Sequence, residues 1–132
     1  MNRARPEWYQ FRDALERADF SGASTLLDQD SGLLDERNGI GESVLHFLAV
    51  ENNRQAVEWL HARGADLNAV NEFGTPLLFE VAQLGYRDLL LWLVERGADP
   101  KKKDAQGQRI DEYLAECDKP EMIQFISQHI GP

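Results

Sequence analysis

The tetrapeptide Arg-Gly-Ala-Asp occurs at positions 63–66 and again 33 residues later, at 96–99. Along most of the chain, a glycine, an alanine, an aromatic residue and an aliphatic residue recur with the same period. These residues are Gly41, Gly74 and Gly107; Ala49, Ala82 and Ala115; Trp59, Trp92 and Phe125; and Leu60, Leu93 and Ile126. A fixed period of this length indicates stacked supersecondary units that bury their apolar faces against one another.

Each period contains the pattern of two short helices. The segment SVLHFLAVEN places apolar residues at helical spacing behind Ser43, a capping residue, and RQAVEWLHARG ends at Gly64, which suits a left-handed C-terminal conformation. In the next copy, Thr75 is predicted to cap the helix and Pro76 to be its first residue. Because this pair stands one residue early relative to Gly74, that helix is predicted to begin one residue sooner. The periodic aromatic residues are expected to form one column through the outer helices.

The stretches GESVLHFLAVEN…VEWLHARGADLN and GTPLLFEVAQLG…LLWLVERGADP closely resemble the ankyrin repeat. The resemblance implies an all-α ankyrin-repeat solenoid of four stacked helix-turn-helix repeats in a single domain over residues 1–132. The approximate repeats are 6–38, 39–71, 72–104 and 105–132, and the outer two act as caps. In the first repeat, Trp8, Phe11 and Leu15 share one helical face, and one extra residue is accommodated near Ser31–Gly32.

The chain departs from the ankyrin pattern at two kinds of position. The family's histidine is present only as His46, and Phe79 and Glu112 hold the equivalent places, so its hydrogen bonds are expected to be lost there. The mid-repeat glycine survives as Gly85, whereas the other copies have Asn52 and Asp118. Asparagine is tolerable in the left-handed conformation that the glycine adopts.

The charge balance is acidic, with 14 Lys and Arg against 23 Asp and Glu and a formal charge of −9. This balance disfavours nucleic acid, whose phosphates need neutralising, and favours basic protein partners. The lysine run at 101–103 is predicted to be solvated. One cysteine, Cys117, cannot form an internal disulfide and is predicted to be a partly buried filler. Without a visible signal peptide or membrane span, the sequence predicts a cytoplasmic protein that does not contact membranes.

Few residues suggest chemistry. Ser43, His46 and Asp66 could form a nucleophilic triad on paper, but a helix cap, a loop-bracing histidine and a turn aspartate explain them better. The histidines and Cys117 lack metal-ligand spacing, and the GIG sequence at 39–41 lacks the lysine of a phosphate-binding loop. We therefore predict no catalytic, metal or cofactor site, and an undetected enzyme is the remote alternative.

The resemblance implies a concave binding face made of loop fingers and inner helices. Carried over by position, this face contains Ile40, Glu42, Val50, Glu51, Glu72, Phe73, Thr75, Gln83, Leu84, Gln106, Gln108 and Glu116, with Cys117 beside it. Ile40 is expected to be buried. Phe73 has two open interpretations, an exposed recognition residue or a side chain packed against a neighbouring loop.

These observations favour a non-enzymatic protein-binding module that is monomeric when free. Its concave face would hold a protein partner with a basic surface, Phe73 and Leu84 serving as apolar anchors. Blocking the partner is the simplest mechanism, as in an inhibitor or an immunity protein that neutralises a toxin. The alternative is a scaffold or assembly subunit that bridges two proteins, in which Trp8 and Tyr9 of the N-terminal segment would also be contacts.

Overall fold

The computed structural model describes residues 5–131, which fold into α-helices joined by turns. The helices are α1 (Pro6–Glu16), α2 (Phe20–Gln29), α3 (Val44–Val50), α4 (Arg54–Ala62), α5 (Leu77–Gln83), α6 (Arg87–Glu95), α7 (Ile110–Glu116) and α8 (Pro120–His129). A short 3-10 helix, Ser31–Leu34, follows α2 at the position where the sequence requires one extra residue. The predicted all-α repeat fold is confirmed.

The chain divides into two compact units, Met1–Asp66 (unit 1) and Leu67–Pro132 (unit 2). Unit 1 contains α1 to α4 and unit 2 contains α5 to α8. In each unit the helices of a pair pack together, and the first helices of the two pairs, α1 with α3 and α5 with α7, are also in contact. Nearest-neighbour packing of this kind is what a repeat protein requires. The assignment of the whole chain to one domain stays a prediction.

The first helices of the last three pairs start in phase. α3 begins at Val44, α5 at Leu77 and α7 at Ile110, so their starts follow the 33-residue period of the sequence. The prediction of an early start for α5 is therefore wrong. Pro76 is the N-cap residue in an extended conformation, with φ −62° and ψ 147°, and no side chain caps this helix. Thr75 does not cap the helix, and its N–H and carbonyl are paired with Asn71 in the preceding turn.

The turn within each helix pair contains one residue in the left-handed conformation. Ala18, Asn52, Gly85 and Asp118 have φ values of 59°, 60°, 80° and 57°. The predicted tolerance of Asn52 for this conformation is confirmed, and Asp118 adopts it as well. The first pair has an alanine here, although the left-handed conformation costs a residue with a Cβ roughly 1–2 kcal/mol.

The core of each unit is built from the predicted helix faces. In unit 1, Trp8, Phe11 and Leu15 are buried, which confirms the predicted face of the first repeat. Trp59 is half-buried; its ring stacks on Phe20 at 6.0 Å and meets Phe11 edge-on at 6.1 Å. Aromatic pairs at this separation add to the burial of their area.

In unit 2 the two periodic aromatic residues differ in burial. Trp92 is buried, whereas Phe125 is half-buried and carries the guanidinium of Arg87 at 5.0 Å from its ring centre. Phe125 also stacks on His129 of the same helix. The polar side chains of Arg87 and His129 therefore cover part of the Phe125 ring.

Candidate functional site

Three turns with the same hydrogen bonds precede α3, α5 and α7. We call them finger 1 (residues 38–42), finger 2 (71–75) and finger 3 (104–108). In each, the first residue's N–H donates to the carbonyl of the fifth, at 2.8, 2.9 and 3.0 Å in fingers 1 to 3. The fourth residue, a glycine with φ between 78° and 82°, donates its N–H to the carbonyl of the first. Each finger is therefore closed by its own backbone.

A side-chain oxygen at the base braces each finger. Oδ1 of Asn38 accepts the N–H groups of Ile40 and Glu42 at 3.1 and 2.9 Å. Asn71 and Asp104 accept the equivalent N–H groups at 2.8 to 3.0 Å. The sequence interpretation missed these three residues, although they obey the 33-residue period and asparagine and aspartate are the side chains that form such turns.

The middle residue of each finger points into solvent. Ile40 is 60% exposed and Phe73 is 70% exposed, and Gln106 is exposed at the same position of finger 3. The predicted burial of Ile40 is wrong, and so is the interpretation of Phe73 as packed against a neighbouring loop. Because each finger closes on its own backbone, its middle side chain has no part in the hydrogen bonds that hold the turn.

Two other predicted surface residues on the fingers are used internally. Thr75 is only 9% exposed, and both its N–H and its carbonyl bond to Asn71. Its place on a binding face is therefore wrong. Glu42 is half-buried and its carboxylate accepts the Asn38 amide at 3.3 Å, so it also belongs to the frame of its finger.

The inner helices of unit 1 bring two carboxyl groups together. Glu51, at the end of α3, is exposed, and Val50 before it is half-buried. Partial loss of hydration and the neighbouring, hydrogen-bonded Glu16 carboxyl raise the pKa of Glu51, against the opposing charge of Arg12. Thirty-five residues separate Glu16 from Glu51, and they lie in different positions of their repeats, so the sequence contained no signal for this pair.

The Arg12 guanidinium lies among three aromatic rings of α1 and α3. Its guanidinium carbon lies 5.4 Å from the ring centre of Tyr9, 4.8 Å from that of Phe47 and 5.7 Å from that of Trp8. Trp8 is fully buried and its Nε1 donates to the carbonyl of Glu36 at 3.0 Å, so Trp8 is not available as a partner contact. Tyr9 is 40% exposed.

The inner helices of unit 2 present an apolar and a polar region. Leu84, at the end of α5, is 43% exposed, and Gln83 beside it is half-buried. On α7, Glu116 is exposed, and its carboxylate accepts a hydrogen bond from Gln108 of finger 3 at 2.7 Å. This bond ties the base of finger 3 to the end of α7.

Tyr113 and Cys117 lie one turn apart on the same side of α7. Burial and the adjacent Cys117 thiol raise the pKa of Tyr113 to about 12, and Glu80 and Asp104 contribute through their negative charge. The Tyr113 ring also packs against Phe79 at 5.2 Å. Cys117 is half-buried, as predicted, and ends the helix as its C-cap residue.

The residues that could have formed a nucleophilic triad are structural. Ser43 Oγ lies 2.7 Å from His46 Nδ1 and accepts the His46 N–H, so it caps α3, and both residues are buried. At the equivalent place in α7, the Glu112 carboxylate accepts the N–H of Arg109, a cap of a different kind. Asp66 is exposed.

Neither a metal site nor a membrane span is found in the described part of the chain. Within residues 5–131, no group of three or more His, Cys, Asp or Glu side chains is placed to hold a metal ion. None of the helices in this range has the length and apolar character needed to span a membrane.

Known proteins resemble this chain over most of its length. A family model described as ankyrin repeats, three copies, matches residues 13–104. Diacylglycerol kinase zeta of Rattus norvegicus is 28% identical over 125 residues, which is 93% of this chain and 13% of that protein. Palmitoyltransferase AKR1 of Lachancea kluyveri is 27% identical over 99 residues, which is 71% of this chain and 13% of that protein. The chain thus spans about an eighth of each relative's length.

The family match covers the end of α1, all of α2 to α6 and fingers 1 and 2, and it stops at the first residue of finger 3. The period of 33 residues, the left-handed mid-repeat residues and the closed fingers are the structural form of the same repeat. By its sequence and its fold, the chain belongs to the ankyrin repeat family, a non-catalytic fold that acts as a protein–protein interaction module.

Proposed function

We propose that the chain binds a protein partner with a basic surface through the tips of its fingers and the ends of its inner helices. The observation that carries this proposal is Phe73, a phenylalanine that is 70% exposed at the tip of finger 2. Asn71 and the backbone hold the finger, so Phe73 is free to contact another molecule. Large apolar side chains in this position are typical anchors of protein interfaces.

The fingers support binding because they are already ordered. Each is closed by two backbone hydrogen bonds and by two further N–H groups that donate to the side-chain oxygen of its first residue. A partner that contacts Ile40 or Phe73 would therefore not have to order a loose loop. Preorganisation of this kind removes part of the entropic cost of association.

The partner's charge follows from the carboxylates near these apolar residues. Glu72 stands next to Phe73 and is exposed; on the inner helices, Glu51 and Glu116 are exposed as well. Partial loss of hydration and, after it, the neighbouring Glu16 carboxyl raise the pKa of Glu51, and a lysine or arginine of the partner would offset the repulsion between the two carboxyl groups. Together with the net charge of −9, this arrangement favours a basic surface and fast, electrostatically steered association.

In this proposal the protein acts without catalysis, by covering the surface that its partner needs. An inhibitor, or an immunity protein that neutralises a basic toxin, is the form of this mechanism that we favour. Its location would be cytoplasmic, and the free protein would be a monomer. Diacylglycerol kinase zeta and palmitoyltransferase AKR1 match this chain over about an eighth of their own length, so their enzymatic activities are not part of this proposal.

The partner is to be isolated by pull-down and mass spectrometry at low and moderate salt, and each variant is then measured against it. Replacing Phe73→Ala should weaken binding by about 1–3 kcal/mol, because truncation of an interface anchor has this cost. Gln106→Ala, at the same position of finger 3, is the matched control and should have a smaller effect. An unchanged affinity for Phe73→Ala, with the fold intact by circular dichroism, would remove Phe73 from the interface.

Charge reversal tests the proposed basic partner. The double variant Glu51→Lys and Glu72→Lys should lower the association rate constant and flatten its dependence on salt, because steering acts on association. Glu95→Lys with Glu121→Lys makes the same change in net charge at exposed positions of α6 and α8. Equal effects of the two double variants in stopped-flow measurements would show that only net charge matters and would contradict a specific role for Glu51 and Glu72.

The alternative function is a scaffold that bridges two proteins. It is favoured by one observation, the 40% exposure of Tyr9 beside the Arg12 guanidinium on α1. If Tyr9 belongs to a second site, Tyr9→Ala should release one captured protein and retain the other. Loss of neither, or of both together, would argue against two separate partners.

A further inference from the structure

We propose that Asn38 is a site of spontaneous modification, at which its carboxamide is converted to a carboxylate through a cyclic succinimide. The dipeptide Asn38–Gly39 lies at the base of finger 1, and Gly39 is exposed. This inference is independent of the proposed function, since it concerns the chemistry of the finger and needs no partner.

The reaction consumes water and releases ammonia. The backbone nitrogen of Gly39 attacks Cγ of Asn38, a new N–C bond forms, and the Cγ–Nδ2 bond breaks as ammonia leaves with the proton from the Gly39 nitrogen. Water then adds to either carbonyl of the five-membered ring. Opening on one side gives an aspartate, and opening on the other gives an isoaspartate, whose backbone runs through the side-chain carbon.

Finger 1 polarises the carbon that is attacked. The N–H groups of Ile40 and Glu42 both point at Oδ1 of Asn38, at 3.1 and 2.9 Å. When the nitrogen attacks Cγ, negative charge develops on this oxygen, and two fixed backbone donors stabilise it as they do in an oxyanion hole. The Glu42 carboxylate holds the departing amide through Nδ2 at 3.3 Å, which orients the leaving group.

Finger 1 and finger 2 differ in the residue that follows the asparagine. Asn71 receives the same two backbone hydrogen bonds, at 2.8 and 3.0 Å, but it is followed by Glu72. A side chain on the attacking residue obstructs the approach of its nitrogen and restricts the backbone, whereas glycine does neither. The two fingers therefore present the same electrophile to two different nucleophiles, and only finger 1 should react readily.

Finger 3 shows how a finger is held when an aspartate occupies this position. Asp104 occupies the equivalent position, and its carboxylate accepts the N–H groups of Gln106 and Gln108 at 3.0 and 2.8 Å. An aspartate at position 38 should thus preserve the finger, although it would face the Glu42 carboxylate without the amide donor. An isoaspartate lengthens the backbone by one carbon and would break the bond from Asn38 N–H to the Glu42 carbonyl.

The test is incubation of the folded protein at 37 °C and mildly alkaline pH in water enriched in heavy oxygen. Digestion at glutamate gives the peptide Arg37–Glu42, in which Asn38 is the only asparagine. In this peptide we expect the Asn38 amide to be replaced by a carboxyl group that contains one heavy oxygen, with the corresponding increase in mass. Both the aspartate and the isoaspartate form should be present. The peptide that contains Asn71 should change far more slowly, and Gly39→Ala should abolish the conversion at position 38.

Two results would overturn the proposal. One is conversion of Asn71 as fast as that of Asn38, which would show that the glycine is not decisive. The other is an unchanged Asn38 in the folded chain when the same chain unfolded in urea converts, which would show that the finger protects it. Both comparisons use the unaltered sequence, so they do not depend on the folding of the Gly39→Ala variant.

Discussion

The first and last helix pairs of the chain end their units in different ways. α1 is 11 residues long and buries Trp8, Phe11, Ala14 and Leu15, whereas α7 is seven residues long and buries Ile110 and Leu114. Ala115 is exposed, although its periodic equivalents Ala49 and Ala82 are buried. The first pair is thus a bulky aromatic cap, and the last pair keeps the helix length of the inner repeats but has polar residues where they carry apolar ones.

Ion pairs show the same contrast. Arg5 pairs with Asp30 and Glu36, which lie 25 and 31 residues further along the chain, and ties the start of α1 to the segment after α2. Arg109 pairs with Asp111 at 3.0 Å, within its own helix start. The N-terminal pair is therefore secured by contacts between distant residues, and the C-terminal pair by local capping. A terminal repeat packs against one neighbouring repeat, and the first and last helix pairs meet this requirement in different ways.

The largest loss of stability is expected when Trp8 is replaced. Trp8→Ala removes a fully buried indole and its hydrogen bond to the Glu36 carbonyl, and should lower the free energy of unfolding by about 3–5 kcal/mol. Urea denaturation measures the change. Tyr9→Ala is the matched control, because Tyr9 is 40% exposed on the same helix and should cost much less. Equal losses would show that α1 does not cap unit 1 through its buried face.

A smaller effect is expected at Tyr113 in the C-terminal pair. Its pKa is raised to about 12, so the folded state keeps a proton that the unfolded state loses near pH 10. The stability of the native protein should therefore fall as the pH rises from about 10 to about 12. In Tyr113→Phe this part of the decrease should disappear from the denaturation profile. Tyr86→Phe controls for loss of a hydroxyl elsewhere in unit 2, and the same change in both variants would contradict the assignment.

The smallest effect is expected at Arg5. Its hydrogen bonds lower the pKa of Asp30, and a lowered carboxyl pKa stabilises the folded state above the ordinary aspartate range. Arg5→Ala should therefore cause a slight loss of stability at neutral pH, and the difference from the native protein should shrink as acid protonates Asp30. High salt should reduce it as well, because these groups are exposed. Arg109→Ala, whose partners are local, should change stability less, and the reverse order would remove the contrast between the two ends.

Much of the fold could be read from the residues. The period indicated the helix pairs, and glycines marked left-handed helix ends, because these features depend on local conformation and on spacing along one chain. The start of α5 was misjudged because a Thr-Pro pair is a strong local signal. It is overridden by the hydrogen bonds between Thr75 and Asn71, which close the finger before the helix can begin.

The candidate site was less predictable. Position in the repeat correctly suggested that Leu84 and Glu51 are exposed, but it did not distinguish Thr75, which is buried, from its neighbour Phe73, which is not. Exposure depends on which atoms surround a side chain, and neighbours in space come from several parts of the sequence. For the same reason, the pairing of Glu16 with Glu51 had no counterpart in the sequence pattern.

The all-α repeat, its period and the acidic charge could be read from residue type and order alone. The exposure of Ile40 and Phe73 and the three Asx side chains that brace the fingers became apparent in the folded molecule. The physical reason is that burial and hydrogen-bond partners are set by packing, which a one-dimensional pattern constrains but does not specify.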